Sequence, residues 1–181
     1  MKPTELLKHE HEVILLVLGA ARREAAYIRQ NGGARVAKVE SIVDFVRNFA
    51  DKCHHKKEEE HLFAKLLERG MSHDKGPVAS MLRDHIVGRQ AVKAISDALA
   101  AAGRGDKSAL DEVAKNLESY ADLLESHIEK ENGGLFPLAD RILTWEDQKA
   151  LERAFDKVEK EETGEGVHEK YHRIAHELAE E

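Results

Sequence analysis

The chain alternates between stretches with helical apolar spacing and short breaks rich in glycine. In the first stretch, Leu7, Ile14, Leu18 and Ala21 recur at intervals of three, four or seven residues, so they share one face of a helix. Glycines then interrupt the pattern, at Gly32-Gly33 for example, and they are typical of helix ends. The pattern predicts helices over about 4–30, 35–69, 78–102, 108 to at least 131, 145–162 and 167–178.

The first four predicted helices are long, and the connections between them are short. Short connections make consecutive helices antiparallel neighbours. The sequence therefore predicts an all-α fold: an antiparallel up-down-up-down four-helix bundle over residues 1–140. A C-terminal helical extension over 141–181 would pack on the bundle.

One helical hairpin is used twice in the sequence. "HHKKEEEHLFA" from the second predicted helix aligns with "HIEKENGGLFP" from the fourth, which places His54 on His127 and Glu58 on Glu131. Lys57 also falls on Lys130, Leu62 on Leu135 and Phe63 on Phe136. Upstream, His11 corresponds to His85 at nearly the same offset.

The repeat selects one register for the histidine-glutamate pairs. His54 and Glu58 are four residues apart, as are His127 and Glu131, so each pair shares a helix face. The second copy has Ile128 where the first has His55. We therefore expect His55, Lys56 and Glu59 on other faces, mostly in contact with solvent.

The four repeated histidines also match in depth. His11, His54, His85 and His127 each lie about 28 Å from the loop end of their hairpin, at about 1.5 Å per residue. Four helices would thus direct four imidazoles and two carboxylates into one layer of the core.

Such a layer requires positive charge. A buried carboxylate without a partner costs several kcal/mol, and Lys57 and Lys130 point away from the glutamates that follow them. Two metal ions would satisfy all six groups together. Nitrogen and oxygen donors without thiolates favour iron, with an oxo or hydroxo bridge, over structural zinc. Coordination positions would stay open for small molecules such as O2, H2O2 or NO.

Composition narrows the class of partners. The formal charge is -7 and the pI about 5.9, which disfavours nucleic-acid binding. The apolar run 13–21 is too short to span a membrane. A single cysteine excludes an internal disulfide and predicts a cytoplasmic location.

Further polar residues are weaker candidates. His61 lies on the face of His54 and Glu58, so it is a candidate ligand or a neighbour of one, although the second copy has Gly134 there. The stripe of His168, His172 and His176 is explained by an amphipathic helix. We also consider a hydroxyl contribution from Tyr171 and a charge from Arg89, for which a surface salt bridge is the simpler interpretation.

At these residues the chain resembles the hemerythrin-like proteins of the HHE cation-binding group, over about residues 4–140. The motifs are "EH" at Glu10-His11, "HHKKEEEHLF", "RDHIVGR" and "HIEKENGGLFP". The resemblance implies a non-haem di-iron centre. By match to the motifs, the terminal ligands would be His11, His54, His85 and His127, and the bridging ligands Glu58 and Glu131.

The chain departs from the oxygen-carrying hemerythrins in two places. Those proteins have H-x-x-x-H on the third helix, where this chain has Arg89 after His85. Their last motif places Asp five residues after His, whereas Glu131 follows His127 by four. A missing fifth histidine argues against simple oxygen carriage and fits family members linked to peroxide breakdown, NO response, or iron and oxygen sensing.

Three functional hypotheses follow. The first is a di-iron protein that binds O2, peroxide or NO, with a role in oxidative or nitrosative stress; its enzymatic form is catalase-like decomposition of H2O2. The second is an oxygen, iron or NO sensor, or a storage protein, without turnover. The third is a metal-free helical interaction module.

Overall fold

The protein is all α-helical in the computed structural model, which describes residues 1–164 and 166–180, without the side chains of residues 162 and 163. No strand occurs in these ranges, and the all-α prediction is confirmed. Within the same ranges, no helix combines the length and the apolar character needed to cross a membrane.

Four long helices form the body of the fold. Helix α1 is Pro3–Asn31. Helix α2 runs over 36–68 as Val36–Phe45, two π-helical segments, Val46–His55 and Lys57–Phe63, and a last α-helical turn, Ala64–Glu68. Helix α3 is Pro77–Gly103. Helix α4 runs over 109–142 as Ala109–Lys130, a π-helical turn, Glu131–Leu135, and Phe136–Ile142.

The ends of these helices follow from local chemistry. Pro3 and Pro77 each lie in a first turn, where the missing N–H costs nothing. Gly32 ends α1 in the left-handed conformation, with φ 64°. Helix α4 continues past Glu131, although Gly133 and Gly134 suggest an earlier end. A π-helical turn, Glu131–Leu135, precedes Pro137, so Pro137 lies in the first turn of the α-helical segment that follows, where its missing N–H is tolerated.

The four helices pack as a ring, in which each contacts its neighbours along the chain and α4 closes against α1. Two apolar clusters fill the interior. The larger contains residues such as Ile14, Phe49 and Leu117, and the smaller contains residues such as Leu7, Leu62 and Phe136. The polar residues of the sequence motifs lie between these two clusters along every helix.

The remaining residues form a C-terminal arm, defined here as residues 145–180. Helix α5 is Trp145–Lys157, continued by the π-helical segment Val158–Gly164, and helix α6 is Val167–Glu180. Thr144 caps α5, accepting a hydrogen bond from the backbone N–H of Asp147. The arm packs against α1 and α2. The division of the chain at residue 140 stays a prediction.

Candidate metal centre

Six of the seven predicted site residues meet in one buried layer. His11 comes from α1, His54 and Glu58 from α2, His85 from α3, and His127 and Glu131 from α4; each is at most 1% exposed. They stand between the two apolar clusters. The four histidines therefore lie at the equal depth that the repeat predicts.

The donor atoms of this layer form two groups, in each of which they lie within 4.8 Å of one another. The first group is His11, His54, Glu58 and Glu131, and the second is His55, Glu58, His85 and His127. Glu58 belongs to both. Each group has the nitrogen and oxygen donors of a single metal site, so the layer can hold a pair of ions side by side.

Glu58 and Glu131 connect the two groups. Glu58 Oε1 lies 3.3 Å from His54 Nε2, and its Oε2 lies 3.4 Å from His85 Nε2. Glu131 Oε2 lies 3.2 Å from both His11 Nε2 and His127 Nε2. Each carboxylate thus faces one histidine of each group, which is the position of a bridging ligand.

Each imidazole is oriented from behind by an oxygen atom near its Nδ1. Four of the five Nδ1 atoms hydrogen-bond an oxygen: that of Asn132 for His11 (2.9 Å), Glu10 for His54 (2.8 Å), Glu59 for His85 (2.6 Å) and Asp84 for His127 (3.4 Å). His55 Nδ1 lies 3.5 Å from Asp51 Oδ1, close enough for an ion pair but without a hydrogen bond. This arrangement leaves Nε2 toward the centre of the layer. An Nδ1–H held by a carboxylate or amide is the usual support of a metal-binding histidine.

These supporting residues follow the internal repeat, although the sequence analysis did not identify them. Glu10 and Asp84 directly precede His11 and His85, and each accepts from the histidine of the next helix. Glu59 and Asn132 are also equivalent in the two copies and accept from His85 and His11. The matched "EH" and "DH" pairs were the available signal.

His55 is the main difference from the sequence prediction. It was expected in contact with solvent, and this was wrong: it is 4% exposed and its ring stacks on that of His85, with centroids 3.8 Å apart. The cause is the π-helical backbone, in which the N–H of Lys56 bonds the carbonyl of Asp51, five residues back. The wider turn brings His54 and His55 to the interior together.

Three weaker candidates lie outside the two groups. His61 is partly buried beside Phe155, with ring centroids 6.4 Å apart, and it is in neither group. Tyr171 donates its hydroxyl hydrogen bond to Asp44. Arg89 forms salt bridges with Asp51 and Glu59, the residues behind His55 and His85, so it supports the layer from its outer side.

Neighbouring carboxylates raise the pKa values of two histidines of this layer, His54 and His85. Burial lowers the pKa of His54, but Glu58 and Glu10 outweigh this and raise it to about 10. Burial likewise opposes charge on His85, yet hydrogen bonds with Glu58 and Glu59 raise its pKa to about 9. Burial and the neighbouring His85 hold the pKa of His55 well below its usual value.

The residues of the layer fit a metal pair. Both carboxylate oxygens of Glu58 and of Glu131, and Nε2 of His11, His54 and His55, are buried without a hydrogen-bond partner. Buried polar atoms in proteins are normally satisfied, and several such atoms facing one point indicate a ligand that satisfies them together.

We expect His55→Ala to reduce the iron content of the protein to about half, because one of the two groups loses a nitrogen donor. Lys56→Ala is the matched control, since Lys56 is the next residue and its side chain is 31% exposed. Metal analysis after dialysis measures both. Full iron content in the His55 variant would show that this ring is not a ligand.

The chain belongs to the hemerythrin HHE cation-binding domain family, whose model matches residues 2–139. Domains of this family bind metal ions, usually iron, and small molecules. The match ends before the C-terminal arm begins.

Two mycobacterial proteins are similar over most of the chain. One is an uncharacterized protein of Mycobacterium bovis and the other an uncharacterized protein of Mycobacterium tuberculosis. Each is 24% identical over 164 residues, which is 90% of this chain and 63% of the relative. The chain thus spans less than two thirds of these relatives. No solved structure gives a significant match.

Proposed function

We propose that this protein holds two iron ions with an oxo or hydroxo bridge and binds O2, peroxide or NO there, in a response to oxidative or nitrosative stress. The observation that carries the proposal is the pair of donor groups that share Glu58, in which the carboxylates of Glu58 and Glu131 and Nε2 of His11, His54 and His55 have no hydrogen-bond partner. His11 and His54 would hold one ion, and His55, His85 and His127 the other. Iron in this setting supplies Fe(II)/Fe(III) redox chemistry.

The donor set supports iron. All inward donors are imidazole nitrogens and carboxylate oxygens, and the single cysteine, Cys53, is not among them. His55 also changes the number of histidines that can hold the two ions from four to five. His55 of α2 would supply the fifth histidine that Arg89 replaces on α3, so the histidine count would no longer argue against simple oxygen carriage.

The chain's own residues orient the donors and exclude water. The acceptors behind four of the five rings, those of His11, His54, His85 and His127, fix which nitrogen faces inward. The apolar clusters on both sides close the layer above and below. Access for a ligand must therefore come from the side of the bundle.

A cavity of about 300 Å³ provides such a route. It lies between α2 and α3 and reaches α4, and its walls include His55, Gly88, Val92 and Tyr120. It is many times larger than a diatomic molecule and ends at a histidine of the second group. Arg47 and Lys93 stand among its lining residues.

We expect Gly88→Leu to slow the reaction of peroxide or NO with the iron-loaded protein by about tenfold, because a long side chain fills this cavity. Gly88→Ala is the control. A Cβ at Gly88 would lie 3.5 Å from side-chain atoms of Leu124 and Tyr120, an ordinary contact. Stopped-flow absorbance measures the rate, and iron content must match that of the wild type. Equal rates in the two variants would exclude this route.

Metal analysis with an optical spectrum of the as-isolated protein tests the proposal. We expect about two iron ions per chain and the near-ultraviolet band of an oxo-bridged ferric pair. Protein from iron-rich medium that contains no iron would support the metal-free interaction module instead.

Peroxide separates the remaining alternatives. Sustained O2 evolution from the iron-loaded protein would establish catalase-like turnover. One colour change per protein, without O2 evolution, would establish a binding or sensing role. A cytoplasmic location is part of the proposal, because the sequence has a single cysteine and so cannot form an internal disulfide.

A further inference from the structure

The C-terminal arm contributes to a second buried polar cluster, directly behind His54. The ammonium group of Lys57 is 0% exposed and contacts both Glu10 of α1 and Glu159 of the arm, the latter at 2.5 Å. His168, also from the arm, places Nε2 3.4 Å from Glu10 Oε1. Two arm residues thus meet the carboxylate that orients a histidine of the proposed iron centre.

This cluster is not a third metal site. Donor atoms of Glu10, Glu159 and His168 lie within 4.8 Å of one another. The ammonium group of Lys57 already lies between the two carboxylates and pairs with both of them. A metal ion would have to displace a buried cation, which itself costs several kcal/mol to leave unpaired.

Glu10 divides its two oxygens between the arm and the proposed centre. Oε2 accepts the hydrogen bond from His54 Nδ1 at 2.8 Å. Oε1 accepts a hydrogen bond from the ammonium group of Lys57 and forms an ion-pair contact with His168 Nε2. The contacts therefore form a continuous chain from Glu159 through Lys57 and Glu10 to His54. A carboxylate that supports a metal-binding histidine sets the orientation and basicity of that ring.

The second copy of the internal repeat contains an equivalent lysine–carboxylate pair, with which the pair of Lys57 and Glu10 can be compared. Lys130 pairs with Asp84 at 2.6 Å, and Asp84 lies behind His127, as Lys57 pairs with Glu10 behind His54. Lys130 is 45% exposed, whereas Lys57 is fully buried. The same relay thus occurs twice, and among the described residues of the arm, Glu159 and His168 join the copy behind His54.

Apolar contacts hold the arm in this place. The rings of His168 and His172 lie 5.3 and 5.8 Å from that of Phe49, and Tyr171 packs edge-on against Phe45 at 5.9 Å. Phe45 and Phe49 belong to α2, the helix that carries His54. The contacts of Glu159 with Lys57 and of His168 with Glu10 are thus made by an arm that ring contacts also hold against α2.

We propose that Glu159 of the C-terminal arm is a positioning residue of the iron centre, acting through Lys57 and Glu10 on His54. The inference rests on the proposed function. Because linkage is reciprocal, an arm that favours iron binding must itself be held more firmly when iron is bound. The effect falls on the ion of the group that contains His11 and His54.

The test compares Glu159→Gln with Glu161→Gln, an exposed position on the same segment. Loss of iron to a chelator is followed by absorbance, together with the near-ultraviolet band of the loaded protein. We expect Glu159→Gln to lose one of the two ions about 3- to 10-fold faster and to shift the band, since Glu159 acts through Lys57, two contacts beyond Glu10, which supports His54. Glu161→Gln should match the wild type.

Trypsin measures the reciprocal effect in the full chain. Lys160 is 72% exposed, and Lys170 is also exposed, so cleavage there reports on local opening of the arm. Iron should slow this cleavage about 3- to 10-fold in the wild type and less than about twofold in Glu159→Gln. His168→Gln is a second variant that removes the other arm contact with Glu10.

The outcomes separate this inference from the proposed function. Wild-type protein without iron would overturn both. Iron-loaded wild type with unchanged iron loss, band and cleavage in Glu159→Gln and His168→Gln would overturn the positioning role alone. Equal effects in Glu159→Gln and Glu161→Gln would also overturn it, because the cause would then be general loosening of the arm.

Discussion

Glu58→Ala is expected to remove iron from both positions, with a loss of affinity of more than about 100-fold. Glu58 is the residue shared by the two donor groups, and its oxygens face His54 and His85 separately. No other carboxylate of the described layer occurs in both groups. Metal analysis after dialysis measures the loss, and circular dichroism confirms the helical fold.

Two neighbouring glutamates serve as controls for Glu58. Glu59 supports His85 from behind, so Glu59→Ala should cost about 10-fold in affinity and leave detectable iron. Glu60 is 59% exposed, and Glu60→Ala should change nothing. An iron content that depends equally on all three glutamates would contradict the assignment of the bridge.

Lys57→Met is expected to lower the free energy of unfolding of the metal-free protein by about 3–5 kcal/mol. Lys57 is fully buried, and its removal leaves Glu10, which is 2% exposed, without its main cation. Burial opposes the charge of Lys57, but Glu10 and Glu159 raise its pKa to about 12, so the side chain is charged at neutral pH. Denaturant unfolding measures the change.

Lys130→Met is the matched control in the other copy of the repeat. Lys130 forms the equivalent pair with Asp84 near the surface, and exposed pairs contribute about 0–1 kcal/mol. Similar losses for Lys57→Met and Lys130→Met would show that burial by the arm does not matter. The double variant Lys57→Met with Glu10→Gln should recover part of the stability, because no buried charge is then left alone.

The layer could be predicted because the sequence contains it twice. His54 with Glu58 and His127 with Glu131 match in spacing and depth, and the π-helical segments that contain His54, Glu58 and Glu131 leave this match in place. Family membership and the all-α fold followed from the same residues.

His55 could not be predicted because the register changes inside α2. An α-helix turns His55 away from the face of His54, and the π-helical hydrogen bonds over Val46–His55 bring it back. The spacing of apolar residues does not indicate this change of helical register. The same change leaves His61 beside Phe155, away from both donor groups.

The position of the C-terminal arm on the bundle also could not be predicted from the sequence. It depends on pairs far apart in the chain, such as Lys57 with Glu159 and Glu10 with His168. The amphipathic pattern of α6 predicted a helix and an apolar face, but it did not say which helices that face would cover. Charge pairs of this kind are visible only once the elements are packed.

Crystals of the iron-loaded protein, measured on both sides of the iron absorption edge, test the central claim directly. We expect two anomalous peaks per chain, one at the group of His11, His54, Glu58 and Glu131 and one at the group of His55, Glu58, His85 and His127. A single peak, or strong density between Glu10 and Glu159 in place of Lys57, would contradict it.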